Sequence, residues 1–398
     1  MKDYSYVERF SRLGLGLFVH FGLYSRVGKG EWYLKNNKRA KREIYEKNIE
    51  KFNIKKNWAK DLVKTAKTLG AKYITLTTRH HDGFSLYDTE GLCDFDAPHS
   101  ACGRDLVSEF VAACKESGIL PVFYHTLLDW RAPEYQNDFG AYIDYLVKSL
   151  EILCKNYGEI GGFWFDGMWD KPDGDWQEDR LYGTIRKYQP NAVIINNTGL
   201  NELGKLGHIE LDGVTFERGT PFTVGGGERP IFGEMCQVLN DHWGFAKGDC
   251  NYKSVKELIE NLVDARVCGC NLLLNTGLRG DGSVNQTDKA ILSELGKWVK
   301  ANGEFVYGAR YCALTAENAD VCKGEDCYFV AVKETPMAAD INVQRNEELK
   351  KITLGFEGKD GVWLDDNSKI KLNKGSFTVK PFEYGKSLSV RIAKFKGE

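Results

Sequence analysis

Apolar runs of strand length, each closed by polar side chains and followed by a helical stretch, recur through residues 1–308 of this chain. Strands and helices in alternation bury one another when the strands lie parallel and the helices cover them, so the pattern predicts an α/β fold, a βα barrel. Leu15 to Gly22 is the first run. Helical spacing of Leu62, Val63, Ala66 and Leu69 predicts a helix from Trp58 to Leu69, stopped by Gly70. A strand opening at Tyr73 then runs out into Arg79, His80, His81 and Asp82. Helices are predicted over Asp105 to Ser117 and Phe139 to Tyr157, with a strand from Ile119 to Tyr124 between them. Fainter signals give strands at Ala192 to Ile195 and Val214 to Phe216, a helix at Val255 to Val267 and an apolar turn at Leu272 to Asn275.

The fourth run, GGFWFDGMWD from Gly161 to Asp170, ends on a carboxylate. Phe163, Trp164 and Phe165 read as a fully buried strand, and Asp166 stands at its exit between aromatic rings and Gly167. Burying a carboxylate there is costly without a partner or a reaction, and strand exits are where a barrel projects its catalytic groups. The bland alternative is a helix cap. His20 at the first exit reads either as a pocket group or as a buried ring bonded to backbone. Glu31, Trp32 and Tyr33 follow in a Gly- and Lys-rich loop and suggest one wall of the same pocket. Tyr124, His125, Asp129 and Trp130 leave the third strand together.

Past about Gly308 the pattern changes. Short runs at Tyr328 to Lys333, Ile352 to Phe356 and Ser387 to Ile392, broken by Gly, Asn and Asp turns, predict a small antiparallel β unit bracing the barrel.

Composition excludes several function classes. A formal net charge of -2, with Lys and Arg dispersed, offers no footprint for nucleic acid or an anionic membrane. MKDYSYVERF has no apolar core of signal-peptide length and no segment approaches a membrane span, so a cytoplasmic protein is expected, or a chain whose leader has been trimmed. The eleven cysteines lack metal or redox spacing, Cys268 and Cys270 being one residue apart, and read as reduced thiols. His80 and His81 point to opposite faces of an extended segment, which makes a shared metal awkward. Gly225 to Gly227 lacks the ending of a phosphate loop, and Asp170, Asp173 and Asp175 lack the ligand order of a calcium loop. No metal or cofactor is expected. Nine Trp and nineteen Tyr suit sugar binding, because flat rings cover the apolar faces of pyranoses.

Glycoside hydrolysis pairs Asp166 with a second carboxyl group. Glu217, Glu228 and Glu234 are available. Glu228 lies in a glycine-rich loop and reads as a solvated charge. Glu234, flanked by Phe232, Met235 and Cys236, sits in an apolar setting that raises its pKa as a general acid requires. Glu217 precedes Arg218 and reads equally as a structural ion pair, so Glu234 ranks first and Glu217 stands in reserve.

LFVHFG, EWY, RHHDGFSLYDT, YHTLLDW, FWFDG, GEMC with HWGF, and NLLLNTG follow one another in the order found in the α-L-fucosidases of glycoside hydrolase family 29, which this chain resembles from about residue 13 to 308. The resemblance implies a (β/α)8-like TIM barrel catalytic domain at residues 1–308 and a C-terminal antiparallel β-sandwich domain at 309–398. It implies a retaining, exo-acting α-L-fucosidase acting on fucosylated oligosaccharides or glycoconjugates, with homo-oligomers left open. Asp166 stands where the family has its nucleophile, and Glu234 matches the glutamate of the W-E-x-C block, though Gly233 replaces its tryptophan and Val238 a later threonine. His20, Glu31, Trp32, His80, His81 and Tyr124 fall in blocks that contact the sugar, with Arg218 beside them. Trp243 resembles the aromatic on the sugar's methyl side. The rival readings are a fucose-binding protein without chemistry and a related α-L-galactosidase.

Overall fold

A computed structural model describes residues 3–200, 202–225, 227–334, 349–381 and 390–397. Eight parallel strands close into a barrel: β1 (Leu15–His20), β2 (Tyr73–Arg79), β3 (Leu120–Thr126), β4 (Gly162–Asp166), β5 (Val193–Asn196), β6 (Gly213–Glu217), β7 (Phe232–Val238) and β8 (Asn271–Gly277). Pairing of Leu15 with Leu272 through His20 with Gly277 joins the last strand to the first.

The helices Trp58–Leu69, Leu106–Ser117, Phe139–Asn156 and Glu178–Tyr188 follow β1 to β4 in turn. Their boundaries have local causes. Asp105 and Asp138 cap two of them by accepting from the amides of Ser108 and Ala141, satisfying donors that the first helical turn leaves unpaired. The apolar stripe Leu62, Val63, Ala66 and Leu69 is buried against the strands, as its spacing predicts.

The second half departs from the alternation. Among the described residues no helix lies between β5 and β6 or between β6 and β7; the first of these loops lines the rim cavity, while the second packs Phe222 against Phe216 of β6. Helices resume with Val255–Val267 and Gln286–Ala301. The stretch Leu272 to Asn275 belongs to β8, a buried barrel strand, so the expected turn is corrected. Strand β7 carries no simple apolar pattern because Gly233 and Glu234 interrupt it.

A short helix, Ser5–Ser11, seals the barrel at the end where the strands begin. Its Phe10 ring packs 4.9 Å from both Tyr73 and Phe232. Tyr6 donates to Asp212, a buried carboxylate that Arg186 and Arg229 hold at 2.6 and 3.0 Å and to which the Ile194 amide also donates. Charge and donors are matched there, so the burial is not left uncompensated.

After the helix Gly303–Gly308 the described residues form two antiparallel sheets, one of four strands and one of three. Val321, Val330, Ile352, Trp363, Phe377 and Phe395, drawn from both sheets, make one apolar core. The Trp298 indole on the helix Gln286–Ala301 donates to the Val390 carbonyl and ties this unit to the barrel. Of the expected strand at Ser387 to Ile392, residues 387–389 lie outside the described residues, and a strand runs over Arg391–Lys396. All eleven cysteines are free. Among the described residues no helix is long and apolar enough to cross a membrane, and no group of three or more His, Cys, Asp or Glu is arranged to hold a metal ion.

Candidate active site

The strands of the barrel end around a cavity of about 1040 Å³, lined by residues from nearly every exit. That volume is at the upper end of ordinary ligand pockets, roughly 300 to 1,000 Å³, so it has room for more than one sugar ring. Eight of the expected site residues line it: His20, Glu31, Trp32, His80, His81, Tyr124, Arg218 and Trp243. Asp166 and Glu217 line it too, and Glu234 does not.

Asp166 is the last residue of β4. Gly167 follows with φ +97°, a conformation that a side chain disfavours, and a Cβ there would lie 2.5 Å from Leu128. The chain therefore turns sharply and leaves the carboxylate at the rim. Its Oδ1 accepts from Trp169 Nε1 at 3.0 Å and Asn197 Nδ2 at 3.2 Å, while Oδ2 accepts from Tyr124 Oη at 2.9 Å and faces His81 Nε2 at 3.4 Å. Burial alone pushes the pKa up, but His81, Trp169 and Tyr124 outweigh it and bring the value to about 2. The group is an ionised carboxylate under all ordinary conditions.

Glu217 ends β6 in the same layer. Its Oε2 accepts from Asn197 Nδ2 at 2.7 Å. Burial and the negative charge of Asp166 raise its pKa, with Asn197 and Arg218 opposing. One carboxyl group is thus held ionised and its neighbour is biased toward the protonated form, the division of labour that acid-base chemistry needs.

Glu234 corrects the expectation that it faces the substrate. It is the third residue of β7 and pairs with Asn271, the first residue of β8, several residues below the rim. Its side chain is 0% exposed, bonded to the Tyr73 hydroxyl and, at 2.9 Å, to Trp164 Nε1. Burial raises its pKa to about 7 against those two bonds. The apolar flanks in the sequence do signal a desolvated carboxyl group, but one enclosed in the barrel interior beneath Trp164.

The remaining residues shape the walls. His20 Nδ1 lies 2.7 Å from Asn275 Oδ1, and the Asn275 amide nitrogen donates to the Trp243 carbonyl, so the histidine is the donor in the first bond. Burial lowers the His20 pKa to about 3 and the His80 pKa well below its usual value, so both imidazoles are neutral. His80 stacks on Tyr124 with an interplanar angle of 13°, and His81 Nδ1 lies 2.7 Å from the Thr126 hydroxyl. Trp32 packs at 5.0 Å against Trp130.

Glu31 accepts from the Gly244 amide at 2.7 Å, fixing the loop that carries Trp243. That loop rests on β8 at Gly277, where a Cβ would lie 2.4 Å from the Phe245 nitrogen. The Arg218 guanidinium sits 5.3 Å from the Trp243 ring and donates to the Asp241 carbonyl. Phe18, Trp164 and Trp243 make an aromatic floor, and flat rings of this kind suit the apolar faces of pyranoses.

Two site residues escaped the sequence reading. Trp169 lies three residues past Asp166 within the same aromatic stretch, which was the available signal. Asn197 follows β5 in the run Asn196-Asn197-Thr198, and nothing local distinguishes it from a turn residue.

The family model described as Alpha-L-fucosidase matches residues 1–304. A Dictyostelium discoideum α-L-fucosidase is 27% identical over 331 residues, covering 74% of this chain and 70% of that protein. Human plasma α-L-fucosidase is 27% identical over 331 residues, covering 75% and 68%. Among solved structures, α-L-fucosidase isoenzyme 1 from Paenibacillus thiaminolyticus superposes with a TM-score of 0.85 at 28% identity, over 99% of each chain. A Bacteroides thetaiotaomicron family 29 α-L-fucosidase, solved as a trapped covalent intermediate with 2-fluoro-fucosyl fluoride, shares the fold with a TM-score of 0.80 at 22% identity, over 99% of this chain and 96% of that one.

Proposed function

The chain belongs to the α-L-fucosidase family, and from that premise we propose that it is a retaining, exo-acting glycoside hydrolase that uses Asp166 as nucleophile and Glu217 as acid/base. Its substrates in this reading are terminal α-L-fucosyl residues of oligosaccharides or glycoconjugates. The catalytic unit is the barrel, residues 1–308, with the β-rich residues 309–398 as a brace. The unpaired thiols suit action in a reducing compartment.

In the first step an Asp166 oxygen bonds to the anomeric carbon as the glycosidic C–O bond breaks. Glu217 gives its proton to the departing oxygen. Water then attacks the same carbon, Glu217 takes its proton, and the ester bond to Asp166 breaks, restoring both side chains. His20, His80 and His81 meet the sugar's hydroxyls, while Trp243 and Phe18 offer an apolar wall to its methyl group.

One observation carries this reading: a single amide nitrogen bonds both carboxyl groups. Two oxygens at 3.2 and 2.7 Å from one atom lie within roughly 6 Å of each other, close to the roughly 5 to 5.5 Å of retaining enzymes and short of the roughly 6.5 to 9.5 Å of inverting ones. The trapped intermediate of the Bacteroides relative supports the same course.

The test is hydrolysis of an aryl α-L-fucoside followed by proton NMR. The α anomer of fucose is expected to form first, and Glu217→Ala with added azide is expected to give the α-fucosyl azide. A β anomer as first product, or Asp166→Ala with unchanged turnover, would overturn the proposal. A panel of α1,2, α1,3, α1,4 and α1,6 fucosides assigns the linkage.

A further inference from the structure

Resting on the roles of Asp166 as nucleophile and Glu217 as acid/base, we propose that Asn197 is a positioning residue that holds the two carboxyl groups together with one hydrogen for each, so that the charge-assisted one of its two bonds changes partner as negative charge moves between them.

The backbone fixes where Asn197 stands. Its main-chain amide donates to the Phe165 carbonyl at 2.8 Å, extending the β4–β5 pairing one residue past the strand and placing Asn197 beside Asp166. The side chain is oriented from the other side. Thr215, buried on β6, bonds Asn197 Oδ1 through its hydroxyl at 2.8 Å. That leaves the amide nitrogen with two hydrogens, and it has two partners: Asp166 Oδ1 at 3.2 Å and Glu217 Oε2 at 2.7 Å. The opposite flip would aim the amide oxygen at an ionised carboxylate and cost both bonds.

The arrangement matches the charge cycle. Before reaction Asp166 is ionised and Glu217 protonated. In the ester intermediate Asp166 has lost its charge and Glu217 has gained one. Asn197 carries one hydrogen for each, so it faces one full negative charge in both states, and charge-assisted bonds are about twice as strong as neutral ones. No proton passes through it. By occupying Oε2 it also leaves Oε1 as the oxygen that gives and takes the proton. The groups facing Glu217 besides Asn197 are Asp166, Arg218, His81, Tyr124 and Cys236. Among the described residues, Asn197 alone donates to both carboxyl groups.

Asn197→Ala separates these roles from a structural one. Phenyl α-L-fucoside, whose leaving group needs the proton, and 2,4-dinitrophenyl α-L-fucoside, which scarcely does, are compared across pH. Losing a charge-assisted bond is expected to lower kcat/KM on the phenyl substrate about tenfold to a hundredfold, with a smaller loss on the dinitrophenyl one. The alkaline limb is expected to move to higher pH, because a donor that favours the Glu217 carboxylate is gone. Equal losses on both substrates with the limb unmoved would overturn the proposal. Should circular dichroism show that Asn197→Ala does not fold, Thr215→Val keeps the amide and frees its orientation. A smaller shift of the same sign is then expected, and an unmoved limb sinks the idea.

Glu217→Gln, run alongside, keeps the two readings apart. If it loses the phenyl substrate selectively while Asn197→Ala behaves as wild type, this inference fails and the assigned chemistry stands. If the wild type cleaves neither fucoside, or Glu217→Gln is unaffected, the assigned chemistry fails and this inference with it.

Discussion

Trp169 Nε1 donates to Asp166 Oδ1 at 3.0 Å from an indole that is 38% exposed at the mouth of the cavity. The Asp166 carboxylate is therefore held from the solvent side by an indole open to the cavity mouth, while Tyr124 holds it from the barrel side.

Trp169→Phe keeps a ring and removes the donor. Loss of one charge-assisted bond is expected to cut kcat/KM on an aryl fucoside by about tenfold or more. It also moves the acid limb of the profile upward, because the bond favours the ionised form of Asp166. Steady-state kinetics carried down to pH 2 check both, and an acid limb at the wild-type position would refute the contact's role.

The alkaline side of the wild-type profile is expected to report Glu217, which must be protonated to act as acid and whose pKa is raised by burial and by Asp166. His20 and His80 are held neutral by burial and add no step near neutrality. Glu217→Gln should remove the alkaline limb and slow poor leaving groups by about a hundredfold or more, since general acid catalysis contributes about 10² to 10⁴. A limb that survives in Glu217→Gln belongs to another group.

Glu234 is expected to govern stability rather than proton transfer. Its pKa is about 7 in the folded chain against an ordinary 4.5, so between those values the folded state keeps a proton that the unfolded state has released. The stabilisation is in place below pH 4.5 and is lost as pH rises through 7, a change on the order of 3 kcal/mol. Glu234→Gln should flatten urea-unfolding stability across that window and keep kcat within about tenfold. A Glu234→Gln enzyme as crippled as Glu217→Gln would restore Glu234 to the chemistry.

Gly277→Ala probes the seat of the Trp243 loop. The added methyl meets backbone atoms of Gly244 and Phe245 at 2.4 to 2.6 Å, which cannot yield as a side chain tip would. A cost of about 1 to 3 kcal/mol is expected, together with a raised KM for fucosides as Trp243 leaves the sugar's apolar side. Thermal melts and Michaelis curves measure the two effects, and an unchanged KM would separate the loop from substrate binding.

How much of this was legible in the sequence depended on whether the information was local. Strands β1 to β4 begin as mainly apolar runs that exit into polar residues, with amphipathic helices between them, and that pattern finds them. β7 hides because the barrel interior accommodates Glu234 by bonding it to Tyr73 and Trp164, two partners 161 and 70 residues away. β8 reads as a turn because its apolar core is short and polar residues flank it. Asp166 is visible as a carboxylate at a strand exit. The choice between Glu217 and Glu234 is not, because the apolar flanks that favour Glu234 mark burial rather than access and only the register decides which ends at the rim. Asn197 is invisible for the same reason, since its importance comes from three partners on neighbouring strands.

The plug at the sealed end of the barrel and the Asp166 carboxylate at its open end are connected without a gap. Phe10 packs on Tyr73, Tyr73 bonds Glu234, Glu234 bonds Trp164, Trp164 stacks on Tyr124, and Tyr124 bonds Asp166. A hole opened at Phe10 has no slack to vanish into. Damage at the far end of this pillar is therefore expected to surface as slower turnover as well as a lower melting point, so that a screen of surface-distant variants would score the amino-terminal helix alongside the residues of the cavity.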